Sequence, residues 1–404
     1  MEIKNLKKVA QRILKAVKLE EKIILYGDAD LDGVAAVIIL KETIKNLGHK
    51  IATIYFPDRE LEGYGITEKG LNYFKAELPF MEARRKKKTK FSSPKLGKKA
   101  LLVSLDCGIG NFKEVVMAKK LGFEVIIIDH HQILDKLPEA SIIVDPKQKG
   151  DKYPFKEFAT AGIVFKLSEL LLKNIMTDLL RENFLELVAL ATIADMMPQE
   201  EENKIFIEEG LKSLENSWRP GIKAFFAPHL KEGWGVESFE DFNQKVSKII
   251  SILNVRDVEN SLPASFRLLT SSSLEESKVL VEKLLKKSEL RKEKIKEIME
   301  RIEEKILREA EQIIFMGGPD WEFTLISSVA SIICQRYQKP TFIFKKLEKE
   351  SIGTVRTPAG IDSVSLMKKC KKYLLTYGGH SLASGFRIKN ENLEKFRECL
   401  MKQL

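Results

Sequence analysis

The chain has 404 residues, with 68 Lys and Arg against 58 Asp and Glu, giving a formal net charge of +10. At 44% hydrophobic and 31% charged, this composition excludes a disordered chain and a membrane-spanning one, and the length predicts two or three domains. The charge is local: nine basic residues and no acid lie between Arg84 and Lys99, and elsewhere 59 basic residues face 58 acidic ones. That stretch reads either as a basic face for nucleic acid or as a solvated insertion. Cys107, Cys334, Cys370 and Cys399 form no CxxC pair, which argues against a zinc knuckle and a disulfide framework and suits a reducing, cytoplasmic setting.

The N-terminal MEIKNLKKVAQRILKAV predicts an amphipathic helix without the continuous apolar core of a signal peptide. Strand signals follow at 22–26, 51–56, 100–105, 124–128 and 141–144, with helical stretches near 34–46 and 111–121. Continuous β-branched runs separated by helices predict a parallel sheet covered on both faces. From about 155 to 215 the pattern is helical, and 218–245 is irregular. Residues 273–312 contain no Gly and no Pro and predict a long connector helix, or else a coiled-coil arm. Strands at 313–316, 341–344 and 353–356, with helices at 324–337 and 362–376, predict a second, smaller α/β domain. The expected division is a catalytic domain at 1–225 with a basic insertion at 84–99, a linker region with the connector helix at 226–312, and a substrate-binding domain at 313–404.

Four acidic clusters stand at the ends of apolar runs: Asp28-Ala29-Asp30-Leu31-Asp32-Gly33, Asp106-Cys107-Gly108, Asp129-His130-His131 and Ala194-Asp195. In an open parallel sheet the carboxyl ends of the strands line one crevice, so the first three should converge there. Any one cluster would read as helix capping, but carboxylates brought together without a cation repel and are costly to desolvate. Two Mn²⁺ or Mg²⁺ ions, ~3.5–4 Å apart, would remove that cost and act on a phosphoryl group.

This ordered set resembles the DHH phosphoesterase superfamily, and most closely its RecJ-like branch of single-strand nucleases. The likeness includes Pro57-Asp58-Arg59-Glu60-Leu61-Glu62-Gly63-Tyr64-Gly65, Tyr153-Pro154-Phe155 with Ala161-Gly162, and Arg219-Pro220-Gly221. Gly353-Thr354-Val355-Arg356 and Gly378-Gly379-His380-Ser381 resemble the associated DHHA1 domain. The resemblance implies Asp30, Asp32, Asp106, His130 and Asp195 as metal ligands, with Asp28 joining or supporting them and Asp106 bridging two ions. It implies His131 beside the scissile phosphate, Asp129 orienting a histidine, and Arg59, Arg356, Gly378, Gly379 and His380 on the substrate side. The implied activity is exonucleolytic cleavage of single-stranded DNA or RNA by two-metal hydroxide attack.

The departures bear on substrate choice. Tyr26 stands where some members carry a metal-binding histidine, and Asn254-Val255-Arg256-Asp257 replaces the branch's Asn-Ala-Ala-Gly-Arg. Trp321-Glu322-Phe323-Thr324 replaces its Trp-His followed by glycines, which puts a negative charge where a phosphate chain is expected. Bacterial RecJ carries a further oligonucleotide-binding domain after this core, for which the chain beyond Gly385 leaves no room. The alternatives are a short-oligonucleotide hydrolase of the nanoRNase kind or a small-nucleotide phosphatase, and a replication-complex scaffold docking on GINS. No membrane partner is expected.

Overall fold

The computed structural model describes residues 2–59, 61–77, 100–133, 136–227, 241–255, 257–306 and 311–404. The basic stretch at 84–99 lies outside these residues, as do Glu60 and Arg256. The chain divides into two compact units, Met1–Leu285 and Lys286–Leu404.

The first unit opens with α1 (Leu6–Lys18), β1 (Ile23–Gly27), α2 (Leu31–Asn46), β2 (Ile51–Tyr55) and α3 (Glu68–Glu77). It continues with β3 (Ala100–Leu105), α4 (Phe112–Lys120), β4 (Phe123–Ile128) and β5 (Ile142–Val144). The five strands pair in the order β2-β1-β3-β4-β5, all parallel. Strands β1 and β3 are buried at every position, as their continuous apolar runs require of a sheet covered on both faces. The helical half follows: α5 (Thr160–Leu172), α6 (Asp178–Ala194), α7 (Glu201–Lys212), the single turn α8 (Pro220–Lys223), α9 (Phe242–Leu253), the short antiparallel pair β6 (Val258–Glu259) and β7 (Leu262–Pro263), and α10 (Ala264–Leu269). Helices α2, α5 and α6 pack on one sheet face with Val34, Val37, Ile163, Phe165 and Leu187 in the core. Tyr26, Leu102, Val125 and Phe74 form a second core on the other face.

Helix α11 (Leu274–Ile306) contains the boundary between the units. Its apolar residues serve both cores. Val281, Leu284 and Leu285 are buried in the first, while Ile298 and Ile302 pack with Trp321 in the second. The connector reading therefore holds, and those residues are not left over for a coiled-coil seam.

The second unit contains β8 (Ile314–Gly318), α12 (Phe323–Tyr337), β9 (Thr341–Lys346), β10 (Glu350–Arg356), α13 (Ser363–Lys369), β11 (Leu374–Gly379), β12 (Ala383–Lys389) and α14 (Leu393–Met401). Its sheet order is β11-β12-β10-β9-β8, antiparallel except for the β8–β9 pair. Two expectations change here. The helix expected over 362–376 stops at Lys369, because Leu374–Gly379 instead pairs with β12. Cys370 and Cys399 are disulfide-bonded, with Cα atoms 6.0 Å apart, whereas Cys107 and Cys334 are unbonded and buried. A pairing created by closing α14 onto the end of α13 leaves no spacing motif in the sequence. Among the described residues, no helix is long and apolar enough to cross a membrane.

Candidate metal centre

The carboxyl ends of β1, β3 and β4 supply most of the acidic cluster. After β1 the chain turns sharply into α2, and the glycine there is obligatory. A Cβ on Gly33 would sit 2.4 Å from the Asp28 carbonyl oxygen. Asp30 is the N-cap of α2, its Oδ1 accepting from the Gly33 amide at 3.1 Å. Asp32, in the first turn, accepts from the amides of Thr160 (2.7 Å) and Ala161 (2.8 Å) at the N-terminus of α5. Asp106 follows β3 with a φ of 61°, a left-handed conformation rare for a non-glycine residue, and its Oδ1 accepts from the Thr160 hydroxyl at 3.1 Å.

Asp129 ends β4. Its Oδ1 accepts from the His130 amide (2.8 Å), the His131 amide (3.2 Å) and His131 Nδ1 (2.7 Å), and its Oδ2 accepts from the Ile109 amide (3.1 Å). Asp195 caps the C-terminus of α6. His130 Nε2 then lies 3.4 Å from Asp106 Oδ1, 3.3 Å from Asp195 Oδ2 and 3.9 Å from Asp32 Oδ2. His131 Nδ1 lies 3.8 Å from Asp106 Oδ1. Asp28, Asp32, Asp106, Asp129 and His130 are all buried.

The electrostatics follow from the crowding. Burial, with the charges of neighbouring aspartates, pushes Asp32 up to about 7 and Asp195 up to about 8. Asp106 is raised well above the ordinary carboxylate range by burial and then by Asp32, Asp30 and Asp195. Burial would raise Asp129 too, but His131 and His130 outweigh it and hold its carboxyl below the usual range. His131 is raised in return, Asp129 overcoming the opposing effect of burial.

Among the described residues, three groups of donor atoms each lie within 4.8 Å of one another: Asp106, His130 and His131; Asp32, His130 and Asp195; Asp28, Asp30 and Asp106. Asp195 Oδ2 is buried without a hydrogen bond. Oxygen-rich donors with imidazole, and desolvated carboxylates that repel one another, fit hard divalent cations.

Arg59, expected on the substrate side, packs on this cluster. Its Nε donates to Asp28 Oδ1 at 2.7 Å, its Nη2 donates to Asp30 Oδ2 at 2.8 Å, and Nη2 also pairs with Asp28 Oδ2. Tyr26 turns away from the cluster. Fully buried, it donates to the Gly65 carbonyl and accepts from the Thr67 amide, so it supports the Gly63–Gly65 loop. Sequence reasoning missed Thr160, which braces Asp106. It also missed Asp145, buried at the end of β5 and raised to about 7 by burial. Position after a strand was the available signal for Asp145, whereas nothing local marked Thr160.

In the second unit, Arg356 ends β10. It donates from Nε to Ser331 Oγ (3.0 Å), from Nη2 to Ser327 Oγ (2.7 Å), and from Nη1 to Thr354 Oγ1 (2.9 Å) and the Val355 carbonyl (2.8 Å). Strand register sets Arg356 opposite Ala383, and Ser384 opposite Gly379. Gly379 has a φ of 134°, and a Cβ there would meet the Ala383 carbonyl oxygen at 2.6 Å. The His380 amide donates back to that carbonyl at 2.7 Å, which closes a tight turn. Glu322, the departure beside Trp321, pairs with Lys294.

The model for the DHH family, N-terminal domain, matches residues 22–192, and the DHHA1 domain model matches 276–404. The chain is 32% identical to the single-stranded-DNA-specific exonuclease RecJ of Bacillus subtilis, across 99% of this chain and 48% of that protein. The RecJ of Thermus thermophilus is 27% identical across 96% of this chain and 52% of its own length. The chain thus spans about half the length of these curated relatives. Among solved structures, exonuclease RecJ bound to manganese matches with a TM-score of 0.74 at 23% identity, covering 100% of this chain and 95% of that one, a likeness of fold. With a DHH domain that carries the acidic and histidine cluster apart from Asp195, and a DHHA1 domain after it, the chain has the domain pair of the DHH family and is similar to RecJ exonucleases in sequence and in fold.

Proposed function

We propose that this chain is a divalent-metal-dependent phosphodiesterase that releases nucleotides from an end of single-stranded DNA or RNA in the cytoplasm. The observation that carries this reading is the convergence of Asp32, Asp106, His130 and Asp195 within direct reach of one another, with Asp30 at the edge of the same cluster. Asp30, Asp32, Asp106, His130 and Asp195 would hold two ions, Mn²⁺ by preference or Mg²⁺, with Asp28 and Arg59 fixing Asp30. Bound there, such ions supply Lewis-acid polarisation of the scissile phosphate and activation of water. His131, the more exposed histidine, faces the phosphate and donates to it, and Asp129 holds its ring through Nδ1. In the second unit, Arg356 offers a guanidinium backed by hydroxyls, and the Gly378–His380 turn offers backbone amides, both suited to phosphate.

The test is Mn²⁺-dependent release of mononucleotides from labelled single strands, with Asp106→Ala and His130→Ala as controls. Activity that survives both substitutions defeats the assignment. A substrate series from dinucleotide to 20-mer separates this reading from a short-oligonucleotide hydrolase, which would be fastest on dimers. A scaffold docking on GINS predicts a protein without bound metal and retention in a GINS pull-down, so metal content separates it from the enzyme.

A further inference from the structure

The loop between β2 and α3 carries a residue that the reading above does not use. The Tyr64 hydroxyl donates to the Asp106 carbonyl at 3.1 Å, and it lies 3.3 Å from His131 Nδ1 and 3.2 Å from His131 Nε2. Those two nitrogens flank one ring carbon. An oxygen equally close to both, if it lay in the ring plane, would collide with that carbon. The hydroxyl therefore rests over the face of the imidazole. The two rings are inclined by 66° with centroids 5.6 Å apart.

We infer that Tyr64 is a positioning residue for His131, an inference that rests on the phosphodiesterase reading. Asp129 holds the imidazole by its edge through Nδ1 at 2.7 Å, and Tyr64 blocks its face. Together they fix both the position and the plane of the ring, and so the direction in which Nε2 points. Asp129 alone would leave the ring able to swing about that one bond.

Tyr64 is itself held for the task. It stands between two glycines in left-handed conformations, Gly63 with a φ of 88° and Gly65 with a φ of 85°. A Cβ on Gly65 would meet Asn111 Oδ1 at 2.3 Å, and Asn111 clasps both the amide and the carbonyl of Ile66. The Arg59 guanidinium lies 5.2 Å from the centroid of the Tyr64 ring. Yet Tyr64 is 50% exposed, so it is anchored by its hydroxyl rather than by burial in a core.

The experiment compares wild type, Tyr64→Phe and Tyr64→Leu, using steady-state kinetics on a labelled single strand and ¹⁵N resonances of the histidine rings in the Mg²⁺ form. The His131 signals are assigned from a His131→Gln spectrum. Tyr64→Phe should lower kcat about 10-fold, a part of the roughly 100- to 10000-fold that a well-placed acid contributes. KM should stay within about twofold, bound metal and melting temperature should be unchanged, and the His131 resonances should move. Tyr64→Leu should lower kcat further. An unchanged kcat with unmoved His131 resonances overturns the inference, as does a change confined to KM, which would make Tyr64 a substrate contact. A wild-type protein without hydrolysis removes the phosphodiesterase reading instead, and the His131 resonances then decide the positioning role alone.

Discussion

Among the described residues, the two units gather charge of opposite sign, and each leaves part of it uncompensated. In the first, Asp32, Asp106 and Asp195 crowd together with amides, a hydroxyl and two imidazoles as neighbours, while Arg59 bonds to Asp28 and Asp30. In the second, the Arg356 guanidinium donates four hydrogen bonds to hydroxyls and a carbonyl, and burial disfavours its charge. A structural ion pair would have joined such groups to an opposite charge. Acids arranged without a cation suit a metal, and a cation arranged without an acid suits a phosphate.

The largest expected effect tests the acidic side. Asp106→Ala should reduce kcat about 100- to 1000-fold, the scale of losing one preorganised charged group, and should lower bound Mn²⁺ in a metal analysis of the purified protein. Retained stoichiometry would break the contrast. Next comes Asp129→Asn, expected to cost about 10- to 100-fold in rate by loosening His131, as removal of an orienting partner does. Arg356→Gln tests the other side. It should raise KM about 10-fold with kcat preserved, since one charge-assisted bond to phosphate is lost. A fall in kcat instead would place Arg356 closer to the chemistry than the contrast allows.

The acidic side also predicts a pH dependence. Asp32 and Asp195 titrate in the folded protein at about 7 and about 8, above their unfolded values near 4. The native state therefore holds more protons than the unfolded one between about pH 4 and 8, and stability of the metal-free protein should fall as pH rises through that window. Thermal melts in chelator should show the decline, and Asp195→Asn or added Mn²⁺ should flatten it. The smallest effect on activity should come from Cys399→Ser. Opening a bond across a separation of 29 residues should cost the second unit about 3.6 kcal/mol on loop-entropy grounds, with kcat unchanged.

The cluster was legible in the sequence because each of its parts is contiguous and stands at the end of a recognisable apolar run. Strand order then does the rest, since parallel strands deliver their carboxyl ends to one edge. What depended on side chains reaching across loops was not legible. Arg59 reads as a cation for substrate until the loop after β2 is seen to fold back onto Asp28. Ser327 and Ser331 carry no local signal, and they stand out only once the pitch of α12 sets them one turn apart within hydrogen-bond reach of Arg356. The start of the Leu374–Gly379 strand was read as the end of a helix because its pairing with β12 lies beyond any local pattern.

One contact also bears on the order in which the protein matures. Asp32 is secured by the amides of Thr160 and Ala161, which lie 128 and 129 residues further along the chain. As the chain is synthesised, the DxDxD motif emerges long before the helix terminus that holds it. Until residue 160 has left the ribosome and α5 has docked on α2, Asp32 lacks its two amide donors. On the proposed function, tight capture of metal would mark completion of the first unit, and a nascent chain arrested before α5 would carry the full DxDxD motif with Asp32 unclasped.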